Sequence, residues 1–265
     1  MAAGETLTAF YAFAAAVFGL LVGSFVNVVV HRVPRGQSIV SPPSSCPACG
    51  HRIGPLENIP VLSWLALGGR CSSCKAPIAI RYPLVELAVG SLFALSALEY
   101  GPTLAGAAAC LLSALLVAIL FFDLDHLLIP DSLVIPCAVV AFALGAADHR
   151  VLEGLEGAAI CGGTFFLIYL ATRGRGMGLG DVKLAAALGL ALQQSSAIAL
   201  VVASFIVGAI LAVPVLAGGS RGRRDALPFG PFLVIAALVL VFAPQVAFGP
   251  FDAYRHWVQT RGATL

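Results

Sequence analysis

Four carboxylates in this chain stand where apolar runs give way to polar sequence. Asp123, Asp125 and Asp131 crowd the stretch FFDLDHLLIPD, and Asp181 opens an apolar run directly after the glycines of GMGLGD. A charge held at membrane depth costs on the order of 3 kcal/mol or more, so one kept there is a functional candidate by default. Asp131 follows Pro130 and is placed to cap the start of a helix, and Asp125 can be simply solvated. Asp123 follows LLSALLVAILFF directly, at the depth where water thins out. Asp181 follows glycines that let another backbone or a substrate come close. Two carboxylates facing one another in a half-dry site do not comfortably both ionise. One keeps its proton, and the pair then holds a base and an acid. That is the equipment of aspartic proteolysis: water is activated against a peptide carbonyl, the leaving amine is protonated, and no covalent intermediate forms. Other constellations are missing, with no H-E-x-x-H and no P-loop in the chain.

A second set of reactive side chains lies in the one long polar segment. Cys46-x2-Cys49 and Cys71-x2-Cys74 are separated by 21 residues. Two short pairs each present two sulfurs, and four close a tetrahedral site for a soft ion such as zinc. With every ligand position filled by protein, such a site is structural rather than catalytic. Disulfides are the competing reading, and a reducing compartment disfavours them. His51 could compete as a ligand, but four cysteines suffice. The remaining cysteines, Cys110, Cys137 and Cys161, sit singly in apolar runs and read as small buried hydrophobes.

The elements that must hold these groups are helices in a membrane. The chain is 60% hydrophobic and 11% charged, with a mean hydropathy of +0.98, which excludes an ordinary water-soluble domain. Apolar runs predict about eight transmembrane helices, at 10–30, 82–99, 103–122, 132–147, 155–172, 180–192, 196–216 and 228–248. The fold class expected is therefore an all-α polytopic membrane protein with a small zinc-binding cytoplasmic loop domain between its first two spans. Its parts are a first span (1–30), the four-cysteine loop (31–81), a multi-span core (82–248) and a C-terminal tail (249–265). Basic residues follow the first apolar run rather than precede it, so that run reads as a retained span and not a cleaved signal. All but Arg150, Arg255 and Arg261 of the 15 Lys and Arg residues fall in or beside the segments on one side of this topology, which makes that side cytoplasmic. The 180–192 run reaches only about 20 Å against a hydrocarbon core of about 30 Å, and is expected to be a short, thinned or water-flanked span.

Several motifs, in order along nearly the whole chain, carry a family resemblance: GSFVNVVVHRVP at 23–34, the two cysteine pairs, ENIPVLSWLALGGRC at 57–71, RYPLVE at 81–86, DLDHLLIPD at 123–131, GMGLGDVKLAAALG at 176–189 and PFGPFL at 228–233. GLGD matches the G-x-G-D signature of membrane aspartic proteases, and the set resembles the bacterial type IV prepilin leader peptidases. The resemblance implies an inner-membrane enzyme that cuts the basic leader from type IV prepilins and pilin-like secretion subunits (pseudopilins) after a glycine, on the cytoplasmic side. It implies Asp123 and Asp181 as the catalytic pair, with Asp125 the runner-up for the first role. The cysteine loop belongs to members that also N-methylate the new amino terminus with S-adenosylmethionine. Glu57, Arg81, Tyr82 and Glu86, near the loop–membrane boundary, are candidates to line that cofactor's site, with structural ion pairs or caps the competing reading. The expected partners are prepilins or pseudopilins and the lipid bilayer, with no nucleic acid. Two rivals stand beside this reading: another G-x-G-D protease acting within the bilayer, and a non-enzymatic metal-binding scaffold or transporter.

Overall fold

The fold is seen in a computed structural model of the chain, which describes residues 2–147, 149–217 and 228–243. The described residues are helical, with no strand among them. The eight helices are α1 (Ala2–Arg32), α2 (Leu62–Ala66), α3 (Arg81–Tyr100), α4 (Leu104–His126), α5 (Asp131–Ala147), α6 (Val151–Ala171), α7 (Leu179–Ala217) and α8 (Gly230–Phe242). The chain divides into two compact units, Met1–Phe121 and Phe122–Leu265.

In the first unit α1 packs along α3. Small residues let the two backbones meet: a side-chain carbon added at Gly23 would sit 2.7 Å from the Glu86 Cα, and one at Gly19 would sit 2.9 Å from the Gly90 Cα. Close backbone approach through small residues is how helices associate where lipid removes the hydrophobic drive. A polar tie joins the same pair, since the buried Asn27 amide donates to the Tyr82 carbonyl at 3.2 Å. Between α1 and α3 the polar segment forms two tight turns bridged at Ser45–Arg52 and Arg70–Pro77, with the short helix α2 between them. The Trp64 indole N–H, in α2, donates to the Ile78 carbonyl at 3.1 Å.

In the second unit α7 packs against α5, α6 and α8. Phe165, Leu184, Leu200, Leu233 and Val234 are fully buried there. An aromatic cluster fixes the start of α8: the Phe229 ring lies 5.6 Å from that of Phe165 and 5.4 Å from that of Phe205. Phe229 directly precedes Gly230, so the packing that seats this ring also sets where the first amides of α8 point.

Four helical segments are long and apolar enough to cross a membrane: Thr6–Arg35, Arg81–Tyr100, Leu104–His126 and Val151–Ala171. The chain is a multi-pass membrane protein. Helices over Asp131–Ala147, Ser196–Leu211 and Gly230–Phe242 are apolar but shorter, so the described residues carry four full-length candidate spans where eight were expected. The runs expected at 180–192 and 196–216 are the two helical parts of α7, which meet at Gln193, whose φ of 63° and ψ of 175° leave helical geometry. The difference lies in length, since 13 helical residues in α8 rise only about 20 Å. Residues 244–248 of the last expected span, and the 249–265 tail, lie outside the described residues, as do Arg221, Arg223, Arg224, Arg255 and Arg261.

Candidate active site and metal centre

Asp123 sits near the end of α4, three residues before the helix stops. Pro130 disfavours helical geometry in the residue before it, and the chain leaves the helix through Leu127, whose φ is 52°. The Leu127 amide still bonds back to the Asp123 carbonyl at 2.9 Å. The turn carries Ile129 toward the opening of α7, where Gly180 leaves room for it: a side-chain carbon on Gly180 would lie 3.0 Å from the Ile129 Cβ. This close approach, rather than an unusual backbone angle, is what the second glycine of GLGD provides.

Asp181 is the third residue of α7 and reaches back to the start of its own helix. The Gly178 amide donates to its Oδ2 at 3.0 Å, the acidic half of a capping box. Its other oxygen, Oδ1, is buried and has no hydrogen-bond partner. Asp123 is held in a related way by a different helix, with the Gly230 amide, first in α8, donating to its Oδ2 at 3.1 Å. Free amides at a helix start are unsatisfied donors at the positive end of the helix dipole. Each carboxylate is thus fixed through one oxygen by the opening of a helix. Asp123 is 4% exposed and Asp181 9%, and both line one cleft of about 440 Å³ with Ile129, Pro130 and Gly178. The structure brings the two aspartates together.

Neither neighbouring acid joins them inside. Asp125 is exposed and does not line the cleft. Asp131 begins α5. Its carboxylate accepts from Lys183 Nζ at 2.8 and 2.9 Å, an exposed ion pair lining the cleft. Pro130 before it suggests a helix cap for Asp131; its carboxylate pairs with the lysine one turn into α7. Gly230 was passed over as a site residue, although PFGPFL stood out. The available signal was a glycine before a proline at a helix start, a position whose amide has no partner in its own helix.

The four cysteine sulfurs lie within 4.8 Å of one another. Four sulfurs about 2.3 Å from a tetrahedral zinc lie about 3.8 Å apart, and the Cys46 and Cys74 sulfurs are 3.8 Å apart. Both pairs are built alike. The Cys46 and Cys71 amides close their turns onto the carbonyls of His51 and Ala76, at 2.8 and 2.9 Å. The residue after each second cysteine takes left-handed geometry, Gly50 at φ 72° and Lys75 at φ 61°. Backbone amides of Cys74 and Ser73 aimed at Cys71 bring that thiol down to about 6, toward the thiolate a metal needs. The donor set fits zinc, and His51 is engaged elsewhere.

His51 faces Glu57, with its Nε2 3.1 Å from Oε2. The Glu57 carboxylate also accepts from the Gly54 amide at 2.9 Å. A hydrogen bond from the Ser72 hydroxyl, then those from Gly54 and His51, pull its carboxyl down to about 2. Gly54 and His51 belong to the first turn and Ser72 to the second, so Glu57 ties the two cysteine turns together. Glu86 is buried, and its Oε2 accepts from the Val61 amide at 2.7 Å. Arg81 stacks its guanidinium 5.3 Å above the Phe121 ring, and Tyr82 is exposed. Of the four residues expected near a methyl donor, Glu57 bonds within the loop and Glu86 reaches from α3 to the loop's Val61 amide.

Comparison with known proteins was made against this geometry. Residues 17–100 match the bacterial peptidase A24 N-terminal domain, and residues 110–213 match the type IV leader peptidase family. The chain is 40% identical over 258 residues to a prepilin leader peptidase/N-methyltransferase of Pseudomonas aeruginosa, covering 86% of this chain and 89% of that one. Proteins of the same name from Stutzerimonas stutzeri and Aeromonas hydrophila are 38% identical over 262 residues and 36% over 252, covering 88% and 84% of this chain and 91% and 87% of theirs. No solved structure gives a significant match. The two domain models take in most of the chain, each with one of the two residue constellations inside it, and the chain belongs to the type IV leader peptidase family of membrane enzymes.

Proposed function

We propose that this enzyme removes the basic leader of type IV prepilins and pseudopilins after a glycine, at the cytoplasmic face of the inner membrane, with Asp123 and Asp181 as the catalytic pair. The observation that carries the reading is the cleft itself: two buried carboxylates, each fixed through one oxygen by a helix start, with Asp181 Oδ1 unpartnered. The pair works with one proton between its members. The ionised carboxylate takes a proton from water, and the new O–H bond forms as water oxygen attacks the scissile carbonyl carbon. The protonated partner neutralises the developing oxyanion. Collapse of the tetrahedral diol breaks the C–N bond, and the amine leaves carrying a proton from the dyad. The Gly178 and Gly230 amides do not touch substrate in this scheme; they keep both carboxylates from turning away.

A prepilin presents an apolar helix in the bilayer and a basic leader outside it. Lateral docking brings the junction to the cleft, and the exposed Asp125 attracts the leader. The eight-span topology, with the cysteine loop and both aspartates on the basic, cytoplasmic side, belongs to the same proposal. The cysteine set would hold a structural zinc. Methyl transfer from S-adenosylmethionine to the new amino terminus is proposed from the names of the relatives. Arg81 and Tyr82 are the candidates to touch the donor, while Glu57 and Glu86 shape the loop around them.

Mass spectrometry of a prepilin incubated with the purified enzyme and S-adenosylmethionine tests the whole reading. Cleavage after glycine plus a methyl adduct is expected from the native chain. Asp123→Asn and Asp181→Asn should each lose cleavage while still methylating a pilin supplied already cut. Full cleavage by either variant would remove that residue from the dyad.

A further inference from the structure

The segment between the cysteine turns carries large apolar side chains that the protein leaves uncovered. Leu56 is 80% exposed, Leu62 64% and Leu65 61%, alongside Phe13 of α1 at 69%. From Leu56 to Leu67 the sequence LENIPVLSWLAL holds one charged side chain, Glu57, and its carboxylate is occupied by His51 and the Gly54 amide. Exposed Arg52 and Arg70 flank this stretch.

Its depth is fixed by one bond. The Val61 amide donates to Glu86 at 2.7 Å, and Glu86 lies five residues inside α3, about 7 Å along the helix from Arg81. Glu86 also bonds Ser24, which lies about 12 Å along α1 from its last residue, Arg32. Both α1 and α3 are apolar enough to span a bilayer. With Arg32 and Arg81 near the headgroups, Val61 is drawn below that level, and α2 follows it immediately. Val61 accepts a φ of 61° there, uncommon for a β-branched residue.

We propose that residues 56–66 are a lipid-inserted segment: the loop does not stand clear of the membrane but dips Leu56, Leu62 and Leu65 into the interface between headgroups and acyl chains, pinned by the Val61–Glu86 hydrogen bond. The occupant of the uncovered apolar face is the bilayer that already surrounds α1 and α3. Arg52 and Arg70 on either side face the phosphates. Insertion of about 5–10 Å is the usual depth for an apolar face lying in the interface.

The test uses the full chain in vesicles of phosphatidylethanolamine and phosphatidylglycerol. p-Benzoylphenylalanine placed at Leu62, at Leu65 or at the exposed Gln37 is photolysed, and lipid adducts are read by mass spectrometry. The proposal expects at least about fivefold more lipid adduct at 62 and 65 than at 37. A second measurement leaves the segment native. Trp64 is the sole tryptophan of a Trp257→Phe variant, and its emission should be quenched more by lipids brominated near the headgroup end of the acyl chain than by aqueous acrylamide. Equal adduct at all three positions, adducts to a bound prepilin without lipid, or acrylamide quenching without bromolipid quenching would each overturn it.

Discussion

Gly230→Ala tests whether the amide at the start of α8 sets the geometry of the aspartate cleft. A methyl group at this position would lie 2.6 Å from Asp123 Oδ2, 3.2 Å from its Cγ and 2.9 Å from Ile129 Cδ1. The isoleucine methyl is the end of a flexible side chain and can swing away. The carboxylate cannot give way without lengthening the 3.1 Å bond that holds it, and restoring ordinary contact requires a shift of about 0.8 Å. A misplacement near 1 Å costs about 10²-fold in rate, or about 2.7 kcal/mol of transition-state stabilisation. The helix gains little in return, because Gly230 is its first residue and stands before Pro231, and overpacking of this kind costs about 1–3 kcal/mol. Steady-state cleavage of a prepilin should therefore show kcat down by about 10²-fold with KM little changed, while thermal unfolding followed by circular dichroism stays cooperative with a midpoint only a few degrees below native. A variant with kcat within about threefold of native would refute the idea that this amide positions Asp123.

Other expectations concern the loop and the leader. Purified chain should hold one zinc per molecule and Cys71→Ser none, as elemental analysis will show, with loss of the loop's protease resistance because structural zinc contributes on the order of 10 kcal/mol to such folds. Glu57→Gln removes the charge that ties the two cysteine turns, so zinc transfer to a chelator should speed up by about tenfold while prepilin cleavage stays within about twofold. Asp125→Asn should raise KM for strongly basic leaders by about two- to fivefold at low ionic strength, the difference fading near 1 M salt where screening acts over about 3 Å. Equal KM at low salt would end the steering role. Lys183→Ala, which breaks an ion pair exposed on both sides, should change unfolding free energy by less than about 1 kcal/mol.

The cysteine centre and the helix carrying Asp181 were readable because their signals are local. Two C-x2-C pairs need only their own turns, and GLGD places an acid at the third position of a helix whose start its glycines mark. Choosing Asp123 over Asp125 rested on the apolar run before it, and burial separates the two in the same sense. What stayed hidden depends on distance along the chain. The Gly230 amide meets Asp123 across 107 residues, and nothing within either segment names the other. Glu57 and Glu86 stand out in the sequence as acids near a membrane boundary, but not for the bonds they make. Their partners are backbone amides of the loop, Gly54 and Val61, and composition carries no trace of a particular amide. Hydropathy separates the runs on either side of Gln193, where the backbone leaves helical geometry, but it does not give the length of the helices that form there.

The bond between Gly230 and Asp123 also orders events during synthesis. Asp123 leaves the ribosome long before α8 does, and until residue 230 has been made and seated by the Phe229 cluster its carboxylate lacks the amide that holds it in the finished protein. A half-made chain already threaded into the bilayer beside other nascent membrane proteins thus carries both acids without the arrangement that aims them. On the proposed dyad, competence to cut peptides arrives only with the last described helix, when insertion of the chain is nearly complete.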